Sequence, residues 1–178
     1  MQRKLRIDEL NRLSEMSFKE APKVPIVVVL DNIRSLNNVG SIFRTSDALR
    51  LEKIILCGIT ATPPHNDIHK TALGAEESMD WQYFEMTEEA ISHLKVDNYK
   101  IISVEQVDKS TSLLNMSLDP NHKYAFIFGN EVKGVKQAAI DLSDQCIEIP
   151  QFGTKHSFNV SVSAGIVLWE AFKQVSPF

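Results

Sequence analysis

The chain has 178 residues, with 19 Lys and Arg against 23 Asp and Glu, and so a formal net charge of −4. This length predicts one domain, with a core large enough to fold without disulfide or metal staples. Its 43% apolar and 24% charged residues are ordinary for a globular protein. The acidic balance argues against nucleic acid as a partner, although such binding depends on a local basic patch rather than on the total charge.

Cysteine and histidine usage narrows the classes of site. Cys57 and Cys146 lie in apolar, strand-like stretches and are predicted to be buried free thiols of a reducing cytosol. His65 and His69 could share a helical face, but no Cys lies near them, so no metal site is predicted. No apolar run approaches the ~18 residues of a membrane helix. The basic N-terminus lacks the apolar core of a secretory signal, and we expect a cytoplasmic protein.

Residues 1–23 are predicted to form a separate basic arm with helical character. Apolar residues recur there at about helical spacing, and Pro22 and Pro25 punctuate its end. Residues 24–178 are predicted to be the single main domain. The apolar positions of the arm are Leu5, Leu10, Leu13 and Met16, and its basic residues are Arg3, Lys4, Arg6, Arg12, Lys19 and Lys23.

Short apolar runs alternate with helix-like segments after the arm. The runs predict strands at 26–30, 53–57, 81–84, 100–104, 124–128 and 146–149. Apolar spacing predicts helices at 39–50, 68–73, 88–95 and 159–174, the first three capped by Asn37 or Asn38, Asp67 and Thr87. This alternation predicts an α/β fold with a mainly parallel sheet and helices on both faces. Such sheets bind ligands beyond the carboxyl ends of their strands, so the loops there are candidate sites.

The first candidate loop, 30–48, packs several asparagines and arginines between a buried strand and a helix. A capped turn explains one Asn and Gly40 but not the whole set. Arg44 lies one turn into this helix, so close to the sheet that we expect it to need an anion as partner.

The second candidate loop, 128–135, contains Gly129 and Gly134 with the spacing of a phosphate-binding loop. The Lys and Ser or Thr that such a loop requires do not follow, which argues against a nucleoside triphosphatase. We expect the glycines to let a ligand approach the backbone closely.

The third candidate loop, 149–170, places Ser157 and Asn159 before a helix, where either residue would suffice as the cap. The sequence around Ser163 lacks the first glycine of a hydrolase elbow. His156 adjoins Ser157, and neighbouring side chains on a turn usually diverge. A Ser-His hydrolase is therefore not favoured.

Taken together, these loops resemble the motifs of the SpoU/TrmH family of RNA ribose 2′-O-methyltransferases, within the SPOUT superfamily. Motif 1 is N-N-V-G-S-I-F-R-T-S-D-A at 37–48, motif 2 is F-G-N-E-V-K-G-V at 128–135, and motif 3 is I-P-Q-F-G-T-K-H-S-F-N-V-S-V-S-A at 149–164. The resemblance is to compact members without a separate N-terminal RNA-binding domain. It implies S-adenosylmethionine as methyl donor, a homodimer and a C-terminal trefoil knot, a topology that is otherwise nearly absent.

The resemblance also implies two sets of site residues. Phe158 departs from the family, which often has Leu there, and R-T-S-D replaces the usual R-T-A of motif 1. The implied catalytic residues are Asn38, Arg44, Glu131, Ser157 and Asn159. The implied contacts to the adenosyl group are Val104, Glu105, Gly129, Ile149, Ser157 and Phe158.

Two roles remain open for the arginine of motif 1. The family's proposed general base matches Arg44, but neutral arginine at pH 7 costs roughly 7–9 kcal/mol because its pKa is about 12.5–13.8. We favour a cationic Arg44 that grips a phosphate and stabilises the developing oxyanion. Glu131 is expected to anchor Arg44 or the motif 1 amides, within one chain or across a dimer, or simply to complement a helix dipole.

RNA is the implied substrate, with transfer RNA first, a slight preference for guanosine, and ribosomal RNA second. A basic cleft is expected on a body whose acids gather at 76–89. One alternative is a catalytically silent RNA- or protein-binding member of the fold, which the intact catalytic set disfavours. Another is a flavodoxin-like small-molecule-binding domain, which absorbance of a flavin would reveal. The expected RNA contacts are the arm and Arg34, Arg44, Arg50, Lys133, Lys136 and Lys155.

Overall fold

Seven parallel strands form one sheet in the order β3-β2-β1-β6-β4-β7-β5 in the computed structural model, which describes residues 3–178 except the side chains of residues 7 and 8. All six predicted strands are present, which confirms the α/β fold with a parallel sheet. Only β5 escapes prediction, because two residues are too few to form a pattern. The strands are β1 (Val24–Asp31), β2 (Leu51–Cys57), β3 (Trp81–Phe84), β4 (Tyr99–Val104), β5 (Thr111–Ser112), β6 (Lys123–Gly129) and β7 (Gln145–Glu148).

Seven α-helices surround the sheet in the described residues. The four predicted helices are confirmed to within three residues at each end. Two of the others, with four and six residues, are too short for a periodic signal. The helices are α1 (Glu15–Glu20), α2 (Leu36–Ala48), α3 (Asn66–Ala72), α4 (Ala75–Ser78), α5 (Thr87–Val96), α6 (Gln137–Leu142) and α7 (Val160–Val175), with 3₁₀ turns at Ile7–Leu10 and Leu113–Asn115.

The predicted cap of α2 is wrong in a way that matters for the site. Ser35 is the N-cap, and its Oγ accepts a hydrogen bond from the Asn38 amide at 3.3 Å. A cap must stand in extended backbone before the first turn, and Ser35 occupies that position. Asn37 and Asn38 therefore lie inside the helix, and the Asn38 side chain is available for other contacts.

The caps predicted for α3 and α5 are also wrong. His65 precedes α3, and its Nδ1 accepts from the Asp67 amide at 3.1 Å, so Asp67 lies in the first turn. Thr87 lies in the first turn of α5, and its hydroxyl donates to the buried carboxylate of Asp31 at 2.6 Å. In both helices the backbone turns earlier than the side-chain pattern indicates.

Successive strand residues point to opposite faces of the sheet, and helices cover both faces, as predicted. Val28 and Leu30 of β1 belong to the core on the face covered by α2, α3 and α7. Val27 and Val29 belong to the core on the face covered by α5 and α6. Because β1 and β6 are buried on both faces, both read as uninterrupted apolar runs.

The arm is helical over only two short stretches. Its four predicted apolar positions are between 40% and 73% exposed and form no buried face. Phe18 of α1 is instead the buried contact, and the Lys23 ammonium lies 3.3 Å from the centre of its ring. The first two residues of the predicted arm lie outside the described residues.

Both cysteines are free thiols, Cys57 fully buried and Cys146 partly buried. Burial raises the pKa of Cys57 to about 12, so its thiolate is scarce at neutral pH. Within residues 3–178 no group of three or more potential ligands could hold a metal ion. None of the helices described has the length and apolar character needed to cross a membrane.

Helix α2 packs so closely against α3 that Gly40 has no room for a side chain. A Cβ at this position would overlap the carbonyl oxygen of Ile68 and the hydroxyl of Thr71. We expect Gly40→Ala to lower the free energy of unfolding by about 1–3 kcal/mol, as overpacking does. Urea denaturation measures this change. Gly153→Ala is the control, because a Cβ there meets nothing within 4 Å. Equal stability of the two variants would contradict the packing described.

Candidate functional site

The carboxyl ends of β4, β6 and β7 meet the start of α7 around a cavity of about 580 Å³, which we call the loop cavity. These three strands are neighbours in a parallel sheet, so their ends lie at one edge, where such sheets bind ligands. Its wall contains every residue predicted to contact an adenosyl group, namely Val104, Glu105, Gly129, Ile149, Ser157 and Phe158.

The Glu105 side chain fastens motif 2 to the end of β4. Its carboxylate accepts hydrogen bonds from the amides of Val135 and Gln106, each at 2.9 Å. Gly134, at φ 68°, lies under this carboxylate, and a Cβ there would overlap it. A Cβ at Gly129 would overlap the backbone of Gly134 and Val135. The glycines therefore make room for the chain's own atoms. Both also line the loop cavity, so the expectation that a ligand approaches their backbone closely stays a prediction.

Glu131 of motif 2 holds the start of motif 1. Its carboxylate accepts from the amides of Arg34 at 2.9 Å and Ser35 at 3.0 Å, and from Nδ2 of Asn38 at 3.1 Å. Partial burial acts to raise the pKa of Glu131, but these hydrogen bonds outweigh it and hold the pKa below its ordinary value. Of the two predicted partners of Glu131, the backbone amides at the start of motif 1 are therefore bonded to it. In the described part of the chain, Arg44 is not.

Asn38 continues this hydrogen-bonded network into motif 3. Its Oδ1 accepts from Nδ2 of Asn159 at 3.1 Å, and it is only 9% exposed. Asn159 in turn caps α7, since its Oδ1 accepts from the Ser161 amide at 2.9 Å. One chain of hydrogen bonds, Glu131–Asn38–Asn159, thus connects all three motifs. Because Asn159 supplies the cap, Ser157 is not needed for it and stands on the cavity wall.

Arg44 lies outside this network. Its side chain is exposed, and it borders a shallow groove between α2 and α7. It is absent from the wall of the loop cavity. The expectation that Arg44 is close enough to the sheet to require an anion is wrong, because its side chain leaves α2 on the solvent side. The groove is lined by Arg44, Thr45, Ala48, Leu49, Gly165 and Trp169.

The other predicted RNA contacts fall into two regions. Lys133 lines the loop cavity, and Arg34 and Lys155 lie on the loops around it, all three exposed. Arg50 lies at the opposite edge of the sheet, where its carbonyl accepts from the first residue of β1 and its guanidinium lies 4.4 Å from the Phe178 ring. The arm also leads into this opposite edge. The structure therefore brings three of the basic residues together and leaves Arg50 and the arm apart. Lys136 is exposed at the start of α6, directly after motif 2.

Two side chains that the sequence analysis missed connect the loops. Nδ2 of Asn130 donates to the Asn32 carbonyl at 2.7 Å, while its Oδ1 accepts from two amides of its own turn. Nε2 of Gln106 donates to the His156 carbonyl at 3.2 Å. The turn of Asn130 is a recognisable local signal, since Asn often bonds the backbone two residues on. Gln106 has no such signal, because its partner lies 50 residues away.

A buried carboxylate under the loops was also missed. Asp31 is fully buried and accepts from Thr87 Oγ1 at 2.6 Å, Asn32 Nδ2 at 2.7 Å and the Lys136 amide at 2.9 Å. The bonds from Thr87 and Lys136 join the end of β1 to the starts of α5 and α6. They satisfy an acidic group whose burial without partners would be strongly unfavourable.

Comparison with known sequences identifies the protein family to which these motifs belong. The model of the SpoU rRNA Methylase family matches residues 25–169. The 23S rRNA (guanosine-2′-O-)-methyltransferase of Neisseria meningitidis is 32% identical over 155 residues, covering 84% of this chain and 59% of that protein. The tRNA (guanosine(18)-2′-O)-methyltransferase of Escherichia coli is 28% identical over 166 residues, covering 92% of this chain and 69% of that protein.

Solved structures share the fold. The crystal structure of the A. aeolicus TrmH/SpoU tRNA modifying enzyme superposes with a TM-score of 0.78 at 22% identity, covering 90% of this chain and 81% of that one. The AdoMet-bound rRNA methyltransferase from Sinorhizobium meliloti gives 0.78 at 24% identity, covering 88% and 59%. With its three motifs joined beside one cavity and a family match over residues 25–169, the chain belongs to the SpoU rRNA methylase family.

Proposed function

We propose that this protein is an RNA methyltransferase that transfers a methyl group from S-adenosylmethionine to a ribose 2′-hydroxyl. The observation that carries the proposal is the hydrogen-bond chain Glu131–Asn38–Asn159, which joins the three motifs beside the loop cavity. The two relatives compared are named as guanosine 2′-O-methyltransferases of 23S rRNA and of tRNA. Transfer RNA is our first substrate and ribosomal RNA the second. A cytoplasmic location follows from such substrates and stays a prediction.

The loop cavity suits S-adenosylmethionine in size and chemistry. Its volume of about 580 Å³ lies within the ~300–1,000 Å³ of small-molecule sites. Val104, Ile149 and Phe158 offer apolar wall to an adenine, while Glu105 and Ser157 offer polar atoms beside it. When bound, this cofactor would supply a methyl group on a sulfonium centre, whose leaving group is neutral.

The remaining task falls to the protein's own side chains, which must orient the ribose hydroxyl and manage its proton. Asn38 is held by Glu131 on one side and by Asn159 on the other, so its amide is fixed in orientation. Ser157 Oγ on the exposed cavity wall accepts the hydrogen bond of the ribose hydroxyl, and the hydroxyl proton leaves along this bond to solvent as the oxygen is methylated. A cationic Arg44 holds the adjacent phosphate and stabilises the charge that develops on the ribose oxygen.

A homodimer would bring Arg44 to a loop cavity. Next to the groove that Arg44 borders, α7 exposes Val162, Ile166 and Trp169, which are 49%, 37% and 56% exposed. Clustered apolar exposure of this kind marks an interface, and a two-fold axis would set the same face against itself. We propose that the α2–α7 face is the dimer interface and that Arg44 serves the partner's loop cavity.

The C-terminal segment is proposed to form a trefoil knot. Support comes from β7, which lies between β4 and β5 although both precede it in the chain. From β7 the chain passes through loop 149–159 and returns in α7, which packs against α2, β1 and β6. This strand order and return path fit the knotted topology that the family resemblance implies, which is rare among proteins.

Methyl transfer from labelled S-adenosylmethionine to unmodified tRNA and rRNA transcripts tests the proposed function. We expect label in RNA, at a nucleotide whose 3′ bond becomes resistant to alkali because its 2′-hydroxyl is blocked. Calorimetric titration with S-adenosylmethionine provides the second readout. A protein that binds RNA but neither methylates it nor binds the cofactor would be a silent member of the fold.

Replacing Ser157 with alanine separates capping from catalysis. Because Asn159 caps α7, we expect Ser157→Ala to leave the thermal unfolding midpoint unchanged. The methyl-transfer rate should fall by about 10²-fold, the order that one misplaced reacting group costs. Single-turnover kinetics measure the rate, and the unfolding midpoint is the control. Wild-type turnover would remove Ser157 from the proposed mechanism.

A further inference from the structure

The loop between β7 and α7 presents an aromatic ring to solvent. Phe152 is 94% exposed, the highest value among the large apolar side chains that the structure describes. A ring in this position buries almost no area and adds almost nothing to folding. It stands in motif 3, beside the proposed reaction site.

This ring stands on a loop whose two ends line the loop cavity. Gln151, which precedes Phe152, lines the cavity, and His156, five residues after Gln151, lines the cavity again. The returning segment is fixed, because Gln106 Nε2 donates to the His156 carbonyl at 3.2 Å. Residues 152–155 are therefore an exposed excursion between two lining residues, and Phe152 projects from it.

The loop of Phe152 carries basic and no acidic side chains, while Glu105, Glu131 and Glu148 lie on the wall of the loop cavity. Lys155 and His156 are exposed on the same loop, and Lys133 of motif 2 is exposed on the cavity wall. No Asp or Glu occurs from residue 149 to residue 169. Neither lysine has an ion-pair partner within residues 3–178. An exposed ring among unpaired cations matches single-stranded RNA, whose bases stack on aromatics and whose phosphates meet lysines.

The proposed chemistry explains why such a platform would be needed. A ribose hydroxyl can enter the cavity only if its nucleotide leaves the stack of the folded RNA, and unstacking is unfavourable. An aromatic ring on this loop offers a displaced base a new stacking surface. Resting on the proposed methyltransferase function, we propose that Phe152 stacks on an unpaired base at or next to the target nucleotide, with Lys155 and Lys133 contacting its phosphates.

Variants of Phe152 test this platform in the full-length protein. We expect Phe152→Ala to raise both the Kd and the KM for substrate RNA about 5- to 100-fold, the range that one base–aromatic stack is worth. The calorimetric Kd for S-adenosylmethionine should stay unchanged. Phe152→Trp should restore RNA affinity, because any aromatic ring can stack. Val96→Ala is the control, since Val96 is 79% exposed and ends α5 outside the three motifs.

Several outcomes would overturn the platform. They are an unchanged RNA Kd in Phe152→Ala, an equal loss of cofactor affinity, or conversion of a dimer to a monomer in light scattering, which would assign the ring to a second copy of the chain. A wild-type protein that binds no RNA also overturns it. A wild-type protein that binds RNA without methylating it removes the proposed function alone, and the RNA Kd then remains the readout for Phe152.

Discussion

Replacing Arg44 with alanine is expected to abolish methyl transfer while leaving the Kd for S-adenosylmethionine nearly unchanged. Arg44 does not line the loop cavity of its own chain, and its proposed partners in the partner's cavity are a phosphate and the ribose oxygen, so its loss should remove no cofactor contact. It does remove the cation proposed to stabilise the developing oxyanion, a contribution of about 10²–10³-fold in rate. Single-turnover kinetics and calorimetry measure the two effects. Loss of cofactor binding together with turnover would show this role to be wrong.

Lysine at the same position separates the two roles considered for Arg44. If Arg44 is a general base, Lys should work better as the pH rises, because its pKa of about 10.4 makes the neutral form far more accessible. If Arg44 is a phosphate anchor, Lys keeps the charge but loses the bidentate grip, and activity should stay low at every pH. We expect the second result in a pH–rate profile of Arg44→Lys.

Mixing two inactive variants tests whether Arg44 acts across a dimer. A heterodimer of Arg44→Ala and Ser157→Ala protomers contains one intact cavity faced by one intact arginine, if the arginine comes from the partner. Random mixing makes half of the dimers heterodimers with one working site each, so about a quarter of wild-type activity should return. No recovery, with subunit exchange verified by tagged protomers, would show that Arg44 acts within its own protomer or that no such dimer forms.

The strands were predictable because a strand that is buried on both faces consists of an unbroken run of apolar residues. The caps were not, because a cap depends on the residue at which the backbone leaves its extended form. The outward direction of Arg44 was readable. Val39, Ile42, Phe43 and Ser46 follow the spacing of one buried helical stripe, and Arg44 lies off that stripe.

The residues that line the site were partly predictable, but the hydrogen bonds between them were not. Parallel strands end at one edge, so residues after β4, β6 and β7 meet around one cavity. The partners of Glu131 lie 93 to 97 residues away, a separation at which local spacing carries no information. The net charge of −4 likewise conceals Arg34, Lys133 and Lys155 around the cavity.

Glutamine at position 131 is expected to lower kcat/KM about 10²-fold without unfolding the protein. The carboxylate accepts three hydrogen bonds, from the amides of Arg34 and Ser35 and from Asn38. A glutamine side chain has one acceptor oxygen, so its NH₂ group must face one of these donors and break that bond. Ser35 and Asn38 both donate to Oε1 and Arg34 donates to Oε2, so a glutamine with its oxygen at the Oε1 position loses the Arg34 bond and keeps weaker, uncharged bonds to the other two. The start of motif 1 then loosens around Asn38, and a shift of about 1 Å near reacting atoms costs about this much.

Hydrogen exchange, a charge control and acid titration distinguish this role of Glu131 from a general loss of charge. Exchange at the Arg34 amide should accelerate in Glu131→Gln, because this amide loses its acceptor. Glu148→Gln removes a charge from the wall of the same cavity without breaking these bonds, and it should lower kcat/KM less than Glu131→Gln does.

The pKa of Glu131 lies below its ordinary 4.5 in the folded protein. Its stabilising contribution is therefore present above that pH and is lost as pH falls through the lowered pKa. The difference in unfolding free energy between wild type and Glu131→Gln should therefore shrink in this acid range. A difference that stays constant with pH would mean that the ionised carboxylate does not hold motif 1.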